Sequence, residues 1–87
     1  MVKAKVKIKN PTGLHLRPAG IFCTEAGRYQ SSITFSYKNS ISNAKSVLSV
    51  LGACIKCGDE IELMCEGVDE EAALTAMLKA VDDGLGE

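Results

Sequence analysis

An α+β fold two layers thick, with elements in the order β-α-β-β-α-β-α, is what this sequence predicts, and two periodicities carry the prediction. Four short segments alternate apolar and polar residues with a period of two, the pattern of strands that bury one face. Three others place apolar residues at intervals of three and four, the pattern of helices that bury one stripe. Elements with a single apolar face are best satisfied by helices stacked on a sheet. At 87 residues the chain has room for one core, so a single domain over residues 1–87 is expected.

Val2, Ala4, Val6 and Ile8 alternate with Lys3, Lys5, Lys7 and Lys9 to make the first strand. The run Asn10-Pro11-Thr12-Gly13 breaks it. Between Leu16 and Gly27 the period changes, with Ala19, Phe22, Cys23 and Ala26 on one helical stripe and Pro18 tolerated in the first turn. Residues 31–37 alternate again, with Ile33, Phe35 and Tyr37 inward. Lys38-Asn39 then turns the chain and residues 40–43 return as a hairpin. Residues 45–58 read as a short helix that Ser46 caps and Gly58 closes. A fourth alternation puts Ile61, Leu63 and Cys65 inward and Glu60, Glu62 and Glu66 outward. Asp69 is expected to cap the last helix, with Glu70 and Glu71 in its first turn where the dipole favours them. Leu74, Met77, Leu78 and Val81 form its buried stripe, and Gly84 ends it.

Composition narrows the function classes. The net charge is −1, but residues 1–45 hold eight Lys and Arg against Glu25 alone, while the remainder holds ten acids against Lys56 and Lys79. A basic half can signal nucleic acid. Here the lysines alternate along one strand and no aromatic residue lies among them for base stacking, so no direct nucleic-acid binding is expected. No apolar run is long enough to span a bilayer, and the lysine-rich beginning lacks the apolar core of a signal peptide. A cytoplasmic, monomeric protein with free thiols is the expectation.

The single histidine, His15, lies between Leu14 and Leu16 in the run Pro11-Thr12-Gly13-Leu14-His15-Leu16-Arg17-Pro18-Ala19-Gly20. A leucine-flanked histidine can be a core residue. If the first helix begins near Leu16, however, His15 stands beside backbone N–H groups that have no intrahelical partner, at an end that attracts phosphate. Arg17 adds a planar fork suited to phosphate oxygens, and Gly13 leaves the preceding turn free in φ. On these residues alone both readings stand.

The segment Thr12–Gly20 resembles the active-site motif of HPr, the histidine-containing phosphocarrier family of the bacterial sugar phosphotransferase system. The similarity continues in Asn43-Ala44-Lys45-Ser46-Val47-Leu48, like the family's regulatory serine segment, in Gly58-Asp59-Glu60-Ile61-Glu62-Leu63 and in the approach to the last helix. It covers essentially the whole chain. The resemblance implies an open-faced sandwich whose four-stranded antiparallel sheet has the order 1-4-2-3 and is covered by three helices. It implies that His15 accepts a phosphoryl group from enzyme I on ring nitrogen δ1 and passes it to an enzyme IIA domain, with Arg17 steadying the phosphate. The protein is then a carrier rather than an enzyme, with no cofactor and no metal.

By the same resemblance Ser46 is a target of HPr kinase/phosphorylase, with a catabolite-control transcription factor as a further partner. Its residue-level reading is simply a helix N-cap. Val47, Leu48, Val50 and Leu51 put four apolar side chains into five positions, more than one buried stripe can hide. The exposed ones, here Val47, Leu48 and Leu51, are expected to join Leu16, Gly20 and Thr24 as a docking surface beside the histidine. Ser49 departs from the family, where Gly or Lys is common, and so does the cysteine-bearing stretch 51–58. A regulatory module that binds proteins through Ser46 without transferring phosphate is the alternative; such relatives typically lack the histidine.

Cys54-Ile55-Lys56-Cys57 is a C-x-x-C and invites a redox or metal reading. A redox thiolate is favoured at a helix N-terminus, whereas Cys54 falls late in its predicted helix. Zinc needs four ligands, and Cys23, Cys65 and a distant histidine supply no second pair. Cys23 and Cys65 read as small core hydrophobes. Finally, the resemblance places the first strand beside the fourth, so that the lysines of one face Glu60, Glu62 and Glu66 of the other.

Overall fold

A computed structural model describes residues 1–86. The elements run β1 (Val2–Lys7), α1 (Leu16–Ala26), β2 (Ser32–Tyr37), β3 (Ser40–Asn43), α2 (Val47–Gly52), β4 (Glu60–Glu66) and α3 (Glu70–Asp82). The strands form one antiparallel sheet in the order β1-β4-β2-β3, as the resemblance implies. β1, β2 and β4 alternate as their sequences do, whereas the short edge strand β3 leaves its Ile41 69% exposed. Ile33 and Phe35 of β2 and Ile61, Leu63 and Cys65 of β4 are buried on the helix side. The hairpin between β2 and β3 turns on Lys38 and Asn39, both at positive φ (50° and 65°), the primed geometry that matches strand twist.

The helices cover one face. Ala19, Phe22, Cys23 and Ala26 of α1 are buried as the period predicts, and Phe22 meets Phe35 edge to face with ring centroids 5.9 Å apart. Full burial of such side chains contributes about 1.5–3 kcal/mol each, which holds α1 down on the sheet. The buried line of α3 is Ala73, Met77 and Val81, with Leu74 and Leu78 only half-buried at its edge. The expected stripe is thus rotated toward the small Ala73, which lets the helix approach the sheet.

Three local expectations are corrected. The second helix stops at Gly52, not Gly58: Ala53 is its C-cap and Cys54 turns left-handed at φ 57°. The reversal lets Ile55 enter the core at 2% exposed and accept a hydrogen bond from the Leu14 N–H at 3.0 Å, which continued helix would forbid. Asp69 holds the N-cap position of α3, yet its carboxylate makes no cap. It accepts instead from the backbone N–H groups of Gln30 and Ser31, at 2.9 Å each, and from the Ser31 hydroxyl, tying the α1–β2 loop to α3. Register places Lys5 opposite Glu62 and Lys7 opposite Glu60, but Lys3 faces Met64, and Glu66 pairs with Ser32 of β2. Charge segregation is therefore only partly cross-strand pairing. Among the described residues, none of these pairs is an ion pair within 4.0 Å.

Candidate functional site

The two leucines that flank the histidine part company. Leu14 is buried at 3% exposed, whereas Leu16 is 72% exposed, so the chain surfaces between them and carries His15 out with it. Gly13 makes that emergence possible. It sits at φ +66°, and a Cβ there would lie 2.5 Å from the Ile55 carbonyl oxygen. A side chain at this position has neither the conformation nor the space. The core reading of His15 is excluded by its exposure.

His15 is the N-cap residue of α1, with extended backbone (φ −77°, ψ −173°) and its carbonyl accepting from Ala19 at 2.8 Å. Its ring makes no capping hydrogen bond. The first-turn N–H groups of Leu16 and Arg17 have no carbonyl one turn earlier to bond, and Pro18 has none to satisfy. Neither acid nor cap competes for this end. Arg17 is exposed and, among the described residues, in no ion pair. An imidazole nucleophile, a guanidinium and the positive end of an eleven-residue helix thus share one solvent-facing turn. That set can accept and hold a phosphoryl group.

Two shallow depressions flank the turn. One, of about 470 Å³, is lined by His15 with Leu14, Leu16, Leu51, Cys54, Ile55 and Lys56. The other, of about 490 Å³, runs along α1 and holds Leu16, Arg17, Gly20 and Thr24 with Ile21, Glu25 and Arg28. The predicted docking residues therefore divide. Leu16, Gly20 and Thr24 share the second depression and Leu51 borders the first. Val47 and Leu48, though exposed at 37% and 82%, line neither. Cys54 and Lys56 are neighbours of the histidine that sequence reasoning missed. Nothing local signals them; the Leu14–Ile55 hydrogen bond brings them in from beyond α2.

Ser46 is half-buried at the N-cap of α2, where its Oγ accepts from the Ser49 N–H at 3.2 Å. The capping role read from the sequence holds. Cys54 and Cys57 are exposed and Cys23 and Cys65 buried, all four free. Burial pushes the Cys23 and Cys65 thiols up, away from the reactive thiolate. Among the described residues, no three of His, Cys, Asp and Glu come together as a metal site. No helix among them is long and apolar enough to cross a membrane.

Residues 2–83 match the family model described as the PTS HPr component phosphorylation site. The phosphocarrier protein HPr of Treponema pallidum is 40% identical over 77 residues, 88% of each chain. The HPr-like protein Crh of Bacillus subtilis is 34% identical over 83 residues, 95% of this chain and 98% of that one. The crystal structure of HPr-C-His from Thermoanaerobacter tengcongensis superposes with a TM-score of 0.97 at 36% identity, covering 100% of this chain and 98% of that one.

Proposed function

The chain belongs to the HPr family, phosphocarriers of the sugar phosphotransferase system, and on that premise we propose that His15 is its phosphoryl acceptor, charged by enzyme I and discharged to enzyme IIA domains. The observation that carries this reading is the exposed, uncapped His15 at the start of α1. In its unprotonated form the ring attacks phosphorus through Nδ1, and the bond between phosphorus and its donor on enzyme I breaks as the new N–P bond forms. The Leu16 and Arg17 N–H groups and the Arg17 guanidinium then face the dianion. Stabilisation of this kind is surface-exposed and modest, as a carrier requires: a phosphoryl group held too firmly would not move on. Leu16, Gly20, Thr24 and Leu51, with Val47 and Leu48 beyond them, form the surface on which both partners dock. The protein turns over no small molecule and works in the cytoplasm as a single HPr unit.

Incubation with enzyme I and phosphoenolpyruvate, followed by intact mass, tests the reading. One acid-labile phosphate is expected in the native protein and none in His15→Ala. An unmodified native protein, with an enzyme I active on another HPr, would refute it.

Similarity to HPr-like Crh, a relative named for catabolite repression, favours a second role through Ser46. A phosphate there would meet the positive end of α2 without unfolding it and would place about two negative charges beside Val47 and Leu48. ATP and an HPr kinase/phosphorylase should then add one acid-stable phosphate, absent in Ser46→Ala; no incorporation would leave Ser46 as a cap alone. A catabolite-control transcription factor is the partner that such a phosphate would recruit.

A further inference from the structure

The loop ahead of His15 contains a buried amide that no step above uses. Asn10 is 2% exposed, and its side-chain Nδ2 donates to the Gly13 carbonyl. Its backbone carbonyl accepts from the Gly13 N–H at 3.0 Å, so the loop is closed twice between the same two residues. The following N–H, that of Leu14, donates to the Ile55 carbonyl at 3.0 Å. The peptide unit joining Gly13 to Leu14 is therefore held at both polar ends, its oxygen by Asn10 and its nitrogen by Ile55. A planar group fixed in this way cannot rotate without breaking a hydrogen bond. His15 follows one residue later, with Leu14 anchored in the core between them.

Asn10 is an odd choice for stability alone. Its Oδ1 is buried and, among the described residues, has no hydrogen-bond partner, and an unpaired buried acceptor counts against folding. What the amide secures is the orientation of one peptide plane. We infer that Asn10 is a positioning residue for phosphoryl acceptance: by orienting the Gly13–Leu14 peptide it sets the direction in which the His15 ring leaves the surface. The inference rests on His15 being the acceptor. In-line transfer depends on that direction, and misplacement by about an ångström costs on the order of a hundredfold in rate.

Asn10→Ala, and Asn10→Ser as a shorter side chain that keeps a donor, test the assignment. Each is compared with the native protein in initial rates of phosphorylation by enzyme I and phosphoenolpyruvate, with carrier concentration varied, well below its melting temperature. The His15 ring nitrogen resonances are recorded on the unphosphorylated proteins. The alanine variant should show kcat reduced roughly tenfold or more with KM within about twofold, since the exposed Leu16 and Leu48 are untouched. Its His15 ring resonances should shift, and serine should restore part of the rate. A folded alanine variant with native kcat and unmoved ring resonances overturns the inference. If alanine does not fold, the serine variant is judged on the same two readouts; if neither folds, Asn10 is a structural residue and the assignment fails. A native protein that accepts no phosphate defeats the carrier reading instead, and the ring resonances still decide what Asn10 does.

Discussion

Helices α1 and α2 begin on the same side of the sheet and begin differently. The hydroxyl of Ser46 closes the start of α2 by accepting the Ser49 N–H, whereas His15 at the start of α1 has no capping bond. The third helix adds a further contrast, since Asp69 occupies its N-cap but spends its carboxylate on Gln30 and Ser31. A capped end has its donors satisfied and favours stability. An open end keeps donors for a visiting anion and gives up the cap, worth about 0.5–2 kcal/mol. The candidate site lies at the helix start that has neither a side-chain cap nor an acid; α3 also lacks a side-chain cap but carries Glu70 and Glu71 in its first turn. The location of the site is set by loop packing rather than by the helix.

The largest effect is expected from closing the open end of α1 with a capping side chain. In His15→Asn, phosphate acceptance should vanish while stability rises by about 0.5–1 kcal/mol, as a side-chain cap replaces a non-capping ring. Intact mass and denaturant unfolding read both effects. A variant less stable than the native protein would show that His15 contributes to the fold after all.

Next in size is Arg17→Ala. Removal of the charged donor from the open end should slow phosphorylation by enzyme I roughly tenfold or more, from the loss of one or two charge-assisted hydrogen bonds. Because Arg17 is exposed and unpaired among the described residues, the melting temperature should stay put. A drop in melting temperature with unchanged rate would reverse the assignment.

The Asp69 contact gives a stability effect with a pH signature and no effect on transfer. Hydrogen bonds from Ser31, then from the Gln30 backbone, hold this carboxyl below the usual carboxylate range. A depressed carboxyl stabilises the fold above its unfolded pKa, about 4, and that stabilisation is lost as pH falls through the folded value. Asp69→Ala should therefore melt at a lower temperature near neutrality and lose less stability on acidification than the native protein. Melting curves of the two proteins that run parallel down to acid pH would remove the carboxylate from the account. Phosphorylation rates should be equal.

Smallest is Ser46→Ala, which leaves α2 as open as α1. A loss of about 1 kcal/mol is expected in denaturant unfolding, with phosphorylation of His15 within about twofold of native. A larger effect on rate than on stability would mean that the two helix starts are coupled.

Much of this protein was decided by local pattern. Alternation from Val2 to Ile8 and the stripe through Ala19, Phe22, Cys23 and Ala26 depend only on period and burial, and both appear in the structure as read. His15 and Arg17 were legible through the resemblance of Thr12–Gly20 to a family motif; the residues alone leave a core histidine open, and only the exposure of His15 in the structure excludes it. What tertiary structure alone decided involves partners distant in the chain. The end of α2 comes earlier than its pattern predicts because Ile55 is drawn into the core, a gain that no helix propensity records. The Asp69 carboxylate leaves its own helix for the loop at Gln30 and Ser31, which is remote in sequence. Cys54 and Lys56 reach the histidine only through the Leu14–Ile55 hydrogen bond, and the Asn10 amide shows its role only once Gly13 folds back onto it. Periodicity reports which way a residue faces, since that is a property of its own element. Which group it meets depends on how separate elements pack, and that is settled by burial and hydrogen bonding across the whole chain.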